Sequence, residues 1–120
     1  MANKILIVDD EPNILMSLDF LFRKNDFTVF VARDGEEAIE IMNKEFPEVM
    51  VLDIMMPGID GYQVCQYVRK QDKLKGMKII FLSAKSQKDD IKKGLSLGAD
   101  LYVTKPFSTK SLLKEVQALL

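Results

Sequence analysis

Five short apolar runs alternate with longer segments whose apolar residues recur at helical spacing, and this alternation limits the fold more than any other feature. The runs are Ile5 to Val8, Thr28 to Ala32, Val49 to Leu52, Ile79 to Leu82 and Leu101 to Thr104, and they read as strands. Between them, Ile14, Leu15, Leu18, Leu21 and Phe22 form one helical stripe, Ala38, Ile39 and Met42 a second, and Val64, Cys65 and Val68 a third. Ile91 and Leu95 lie one turn apart before Gly98, which reads as a helix C-terminal cap, and Leu112, Leu113, Val116, Leu119 and Leu120 make the last stripe. Asp34 and Glu37 have the spacing of a capping box, with Asp in place of Ser or Thr. Strict alternation predicts an α/β fold with a parallel sheet and right-handed crossovers. The first, third and fourth runs are continuously apolar, as central strands covered on both faces must be. With 120 residues and no linker, repeat or low-complexity segment, residues 1–120 read as one domain.

Composition removes several classes of function. Seventeen basic residues against eighteen acidic ones leave a net charge of -1, so nothing draws this surface to a phosphate backbone or an anionic membrane. A single cysteine, Cys65, has no intramolecular disulfide partner and reads as a small buried residue. The start Met1-Ala2-Asn3-Lys4 is not apolar, and no run approaches the length of a membrane span, so the cytoplasm is the expected location. The chain has no histidine, which excludes histidine-based triads, histidine metal sites and a phosphohistidine of its own.

Ligands of open parallel sheets bind outside the carboxyl ends of the strands. There the first run is followed by Asp9-Asp10-Glu11, the third by Asp53, the fourth by Ser83-Ala84 and the fifth by Lys105-Pro106. Taken singly, the acids read as solvated turns, Lys105 as a surface lysine and Ser83 as a strand-end hydroxyl. Their joint place on one rim favours chemistry. Carboxylates about 5 Å apart repel by roughly 3 kcal/mol at an effective dielectric near 20, and a divalent cation relieves that repulsion. A donor set of oxygens alone points to a hard ion such as Mg²⁺, which combines carboxylates with water and a phosphate oxygen. A carboxylate nucleophile, a metal, a hydroxyl and an ammonium are the parts phosphoryl transfer needs, and Asp53 is the natural nucleophile.

Four segments, Ile7-Val8-Asp9-Asp10-Glu11, Val51-Leu52-Asp53-Ile54-Met55-Met56-Pro57-Gly58-Ile59-Asp60-Gly61, Ser83-Ala84, and Gly98-Ala99-Asp100 running to Lys105-Pro106-Phe107, resemble the receiver domains of two-component response regulators over essentially the whole chain. The resemblance implies a flavodoxin-like, doubly wound, five-stranded parallel sheet in the order 2-1-3-4-5 with five helices. It implies that Asp53 accepts a phosphoryl group from a phosphohistidine on a partner sensor histidine kinase or phosphotransfer protein. Mg²⁺ would be held by Asp10, Asp53 and the Met55 backbone carbonyl, with Asp9 assisting mainly through water. Ser83 and Lys105 would each meet a phosphoryl oxygen, and the Lys105-Pro106 bond resembles the family's cis peptide.

Tyr102 would turn toward the space the Ser83 hydroxyl vacates, altering the partner affinity of the surface made by the fourth helix, fifth strand and fifth helix. Taken alone, Tyr102 reads as edge-strand packing. The resemblance also raises homodimerisation on phosphorylation. The subfamilies that dimerise there commonly carry two acids after Gly-Ala, where this chain has Asp100-Leu101.

Three rival readings differ in testable ways. An aspartyl-phosphate phosphatase of the haloacid-dehalogenase type needs a second aspartate two residues after the nucleophile, where this chain has Met55. A flavin binder needs a hydroxyl- and glycine-rich phosphate loop after the first strand, where this chain has three acids. A module that works without phosphorylation would be expected to have lost an acid or the lysine. Met55 and Met56 read as packing or partner contacts, and Lys92-Lys93 as a solvated helix face.

Overall fold

The computed structural model describes residues 3–120 as five strands alternating with five helices. They are β1 (Lys4–Val8), α1 (Pro12–Lys24), β2 (Thr28–Ala32), α2 (Gly35–Glu45), β3 (Val49–Leu52), α3 (Gly61–Lys70), β4 (Lys78–Ser83), α4 (Lys88–Ser96), β5 (Leu101–Thr104) and α5 (Thr109–Leu119). All strand pairs are parallel, in the order β2-β1-β3-β4-β5 that the resemblance implied. β1 and β4 start one residue earlier than the apolar runs, and β4 also takes in Ser83.

Side chains alternate across each strand, so one sheet makes two cores. Ile5, Ile7, Val49, Val51, Ile80 and Leu82 face α1 and α5, where they meet Leu15, Leu18, Phe22, Leu112 and Val116. Leu6, Val8, Met50, Leu52, Ile79 and Phe81 face the other way, onto Ala38, Met42, Val64, Cys65 and Val68 of α2 and α3. The three strands that are buried, apart from the leading lysines of β1 and β4, are the ones whose runs are continuously apolar; β2 and β5 are the edges.

Two local expectations need correction. Asp34 does cap α2, accepting from the Glu37 N–H at 2.8 Å, but the Glu37 carboxylate accepts from the Arg33 N–H and not from that of Asp34, so the box is not reciprocal. The reciprocal capping box is on α3, between Asp60 and Gln63. Its spacing was readable in the sequence. An Asp60→Ala variant should lose about 1 kcal/mol in urea unfolding, the usual worth of such a cap.

The second correction concerns α4. Ile91 and Leu95 do not form a buried stripe: Ile91 is half-buried, Leu95 is 45% exposed, and the buried residue of the helix is Gly94. The helix ends at Ser96 with Leu97, not Gly98, as its C-cap residue, and Gly98 follows with a φ of +110°.

Candidate phosphoryl-acceptor cleft

The sheet order reverses between β1 and β3, and the residues following those two strands meet there. Val8 pairs with Leu52, and the Asp53 N–H donates to the Val8 carbonyl at 2.9 Å, so Asp9 and Asp53 leave the sheet side by side. Carboxylate oxygens of Asp9, Asp10 and Asp53 lie within 4.8 Å of one another. Asp9 and Asp53 are 1% and 4% exposed, whereas Asp10 faces solvent.

Lys105 reaches this group from the end of β5. Its N–H donates to the Ser83 carbonyl at 2.8 Å, and its ammonium lies 3.0 Å from Asp9 Oδ2, 3.5 Å from Glu11 and 3.7 Å from Asp53 Oδ2. Asp9 is therefore its nearest partner, and Glu11 a further one that reading the sequence missed. The Lys105–Pro106 peptide is cis. Ser83 is fully buried, and its Oγ accepts from the Lys85 N–H at 3.2 Å.

The charges feel one another strongly. Burial, followed by the neighbouring Asp9 charge, pushes the Asp53 carboxyl from 3.8 up to about 6, although Lys105 pulls the other way. Burial also raises Asp9, against its bond from the Glu11 N–H and against Lys105. For Lys105, burial lowers the pKa, but the surrounding carboxylates, Asp9 foremost, outweigh it and the net shift is upward.

The donor set fits a hard cation. Buried Asp9 Oδ2 accepts no hydrogen bond of good geometry, and one lysine is left to offset three carboxylates and Glu11. Such a cluster repels a nucleotide phosphate and accepts a phosphoryl group only with cationic help.

Beyond the acids the cleft opens to about 580 Å³, lined by Asp10, Met55, Met56, Tyr62, Lys85 and Lys93 among others. Met55 is 61% exposed at its mouth, while Met56 packs inward. Lys93 lies 4.4 Å over the Tyr62 ring, so it lines the cleft and is not merely part of a solvated face. Tyr102 is turned under α4, its hydroxyl donating to the Lys85 carbonyl at 2.7 Å, and burial holds its pKa up to about 12. Cys65 is fully buried, and burial raises its thiol pKa.

Fold and cleft together define a flavodoxin-like α/β domain whose switch-point crevice is acidic, suited to cation-assisted phosphoryl chemistry. A model of the response regulator receiver domain matches residues 5–117. The chemotaxis response regulator CheY4 of Vibrio cholerae is 29% identical, with a TM-score of 0.93 over 100% of both chains. The receiver domain of the Francisella response regulator 1452 is 36% identical, with a TM-score of 0.91 over 98% of this chain and 95% of that one. The BeF3-activated DrrB receiver domain is 33% identical, with a TM-score of 0.91 over 99% and 97%.

The chain belongs to the response regulator receiver domain family. Members are regulatory modules of two-component phosphorelay signalling, and the aspartate cluster here fits their phosphorylation site and their acidic Mg²⁺ site. Among the described residues, no helix is long and apolar enough to cross a membrane.

Proposed function

We propose that this chain is a switch in which Asp53 accepts a phosphoryl group from a phosphohistidine on a sensor histidine kinase or phosphotransfer protein. The observation that carries this reading is the meeting of three carboxylates with one mostly buried lysine where β1, β3 and β5 end. Asp53 Oδ1 accepts from the Ile54 N–H at 2.8 Å, which leaves Oδ2 as the attacking oxygen. Attack forms the aspartyl O–P bond as the P–N bond of the phosphoimidazole breaks, its electron pair returning to the ring nitrogen.

Asp10, Asp53 and the Met55 carbonyl would hold Mg²⁺, with Asp9 contributing through water. When bound, the ion offsets the carboxylate charge and the charge on the phosphoryl oxygens. Ser83 and Lys105 bind the remaining phosphoryl oxygens, and the fully buried hydroxyl ties the event to Tyr102 on the neighbouring strand.

The readout is a change in partner affinity of the surface formed by α4, β5 and α5, where Leu95 stands exposed. Asp100 is already taken up within the chain, accepting from the Ile79 N–H at 2.8 Å and Arg69 at 3.1 Å, and Leu101 packs against the sheet core. Docking of a downstream protein is thus favoured over homodimerisation on that surface. The cytoplasmic setting follows from the same family role.

A small acyl phosphate with Mg²⁺ should modify the protein once, on Asp53, as read by mass spectrometry of the intact chain and its peptides. Modification of an Asp53→Asn variant would overturn the assignment. Asp10→Ala should cripple Mg²⁺ binding in a calorimetric titration, whereas Lys105→Ala should bind Mg²⁺ and yet be poorly phosphorylated. Identical behaviour of the two variants would count against this division of roles.

A further inference from the structure

α4 rests on the sheet through one unusual position. Gly94 sits in the interior of a nine-residue helix, where glycine is the poorest choice after proline, and it is the residue that α4 buries. A Cβ built there would lie 2.9 Å from one ring carbon of Tyr102, closer than real Cβ atoms approach, and a tight 3.1 Å and 3.0 Å from further ring carbons of Tyr102 and Phe81.

Those rings belong to a row that crosses the sheet beneath α4. Tyr62 and Phe81 stack edge to face at 5.7 Å, and Phe81 and Tyr102 are tilted at 5.9 Å. Phe81 is fully buried on a central strand and has nowhere to go. Tyr102 is half-buried on the edge strand and can swing outward. A methyl group at position 94 therefore acts mainly on Tyr102.

We propose that Gly94 tunes the Tyr102 switch: by leaving space beneath α4, it admits the ring inward, with its hydroxyl on the Lys85 carbonyl. This inference rests on the reading of Asp53 as the phosphoryl acceptor only for its link to phosphorylation; the placement of the ring stands on the contacts alone. By linkage, a mimic that binds the inward-ring state more tightly is weakened by whatever disfavours that state, at most by the ratio of its affinities for the two states.

The test uses the full chain labelled with 3-fluorotyrosine, whose three ¹⁹F signals are assigned with single Tyr→Phe variants. Gly94→Ala should move the Tyr102 signal toward the position of a solvent-exposed tyrosine. It should also weaken binding of beryllofluoride with Mg²⁺ by about tenfold, within the roughly 5- to 150-fold range usual for coupled sites. In a Tyr102→Leu background the same substitution should no longer weaken beryllofluoride binding.

An unmoved Tyr102 signal in Gly94→Ala would overturn the proposal. So would an equal loss of beryllofluoride binding in the presence and absence of the Tyr102 ring. If Gly94→Ala destabilises the fold, the Tyr102→Leu background decides: rescue of the urea midpoint there assigns the clash to the ring, and no rescue rejects it. If the parent protein fails to bind beryllofluoride at all, the phosphoryl-acceptor reading fails, while the ¹⁹F signal still reports on Gly94 separately.

Discussion

Substituting Asp53 with asparagine is expected to raise the stability of the metal-free protein at pH 7 by roughly 2–3 kcal/mol while ending its capacity to accept a phosphoryl group. Asn keeps the shape and the bond that Oδ1 accepts from the Ile54 N–H, and it removes a charge that burial and Asp9 both oppose. The sign follows from linkage. A carboxyl whose pKa rises from 3.8 to about 6 on folding binds its proton more tightly in the folded state. Its stabilising protonation is fully present below the unfolded value and is lost as pH rises through about 6.

The parent protein in a chelator should therefore lose stability between pH 4 and pH 7 through this group, the reverse of ordinary acid denaturation. Asp9, shifted in the same direction, adds to the trend. The Asn variant should show a shallower slope. Saturating Mg²⁺ should restore much of the parent's deficit at pH 7 by binding only the folded state, and should do little for the variant. Urea unfolding at pH 5, 6 and 7, with and without Mg²⁺, measures all of this. Equal midpoints for parent and variant at pH 7 would mean that Lys105 already neutralises the rim.

Gly61→Ala should be the most damaging of the small substitutions, costing about 3 kcal/mol in unfolding free energy and slowing phosphorylation of Asp53 as well. Gly61 opens α3, and its N–H donates to the Ile54 carbonyl at 2.9 Å, closing the loop that follows β3. An added Cβ would lie 2.3 Å from the Asp53 carbonyl oxygen, 2.7 Å from Ile54 Cα and 3.0 Å from the Asp53 carbonyl carbon. All three are backbone atoms, so no side chain can turn aside to relieve the clash. Alanine's gain in helix propensity, about 1 kcal/mol, does not offset it. The displaced segment carries Asp53 itself, so calorimetric stability and the acyl-phosphate reaction rate should fall together. A variant as stable and as reactive as the parent would show that the α3 N-terminus moves freely relative to β3.

The sheet and its layers were legible because their signal is local. A continuously apolar run, such as Val49 to Leu52, can satisfy its backbone and hide its side chains only as a central strand, and the alternating segments must cover it. The residues of the rim were legible for a related reason. In a parallel sheet all carboxyl ends point the same way, so residues far apart in sequence, from Asp9 to Lys105, come to one edge once the strands are placed.

Other features depend on distances between elements, which no window of sequence contains. The sequence shows three acids and a lysine. The register of β1 against β3 decides that Asp9 is buried beside Asp53 while Asp10 faces solvent, and the reach of Lys105 decides that its nearest partner is Asp9. Helical spacing of Ile91 and Leu95 marked a stripe, but the close seat of α4 on the rings of Phe81 and Tyr102 turned Gly94 inward instead. Nothing in its own stretch of sequence singles out Arg69. In the fold it donates to the carbonyls of Gly98, Lys75 and Met77 and pairs with Asp100, joining the α3–β4 and α4–β5 connections.

By itself, then, the sequence determined the class of fold, the strand ends that carry chemistry and the residue types gathered there, because periodicity and strand polarity are properties of the chain. Only the tertiary structure decided which acid the lysine neutralises, how far burial raises the Asp53 pKa, and which residue α4 rests on. Those outcomes are set by desolvation and by contacts of a few ångströms between segments tens of residues apart.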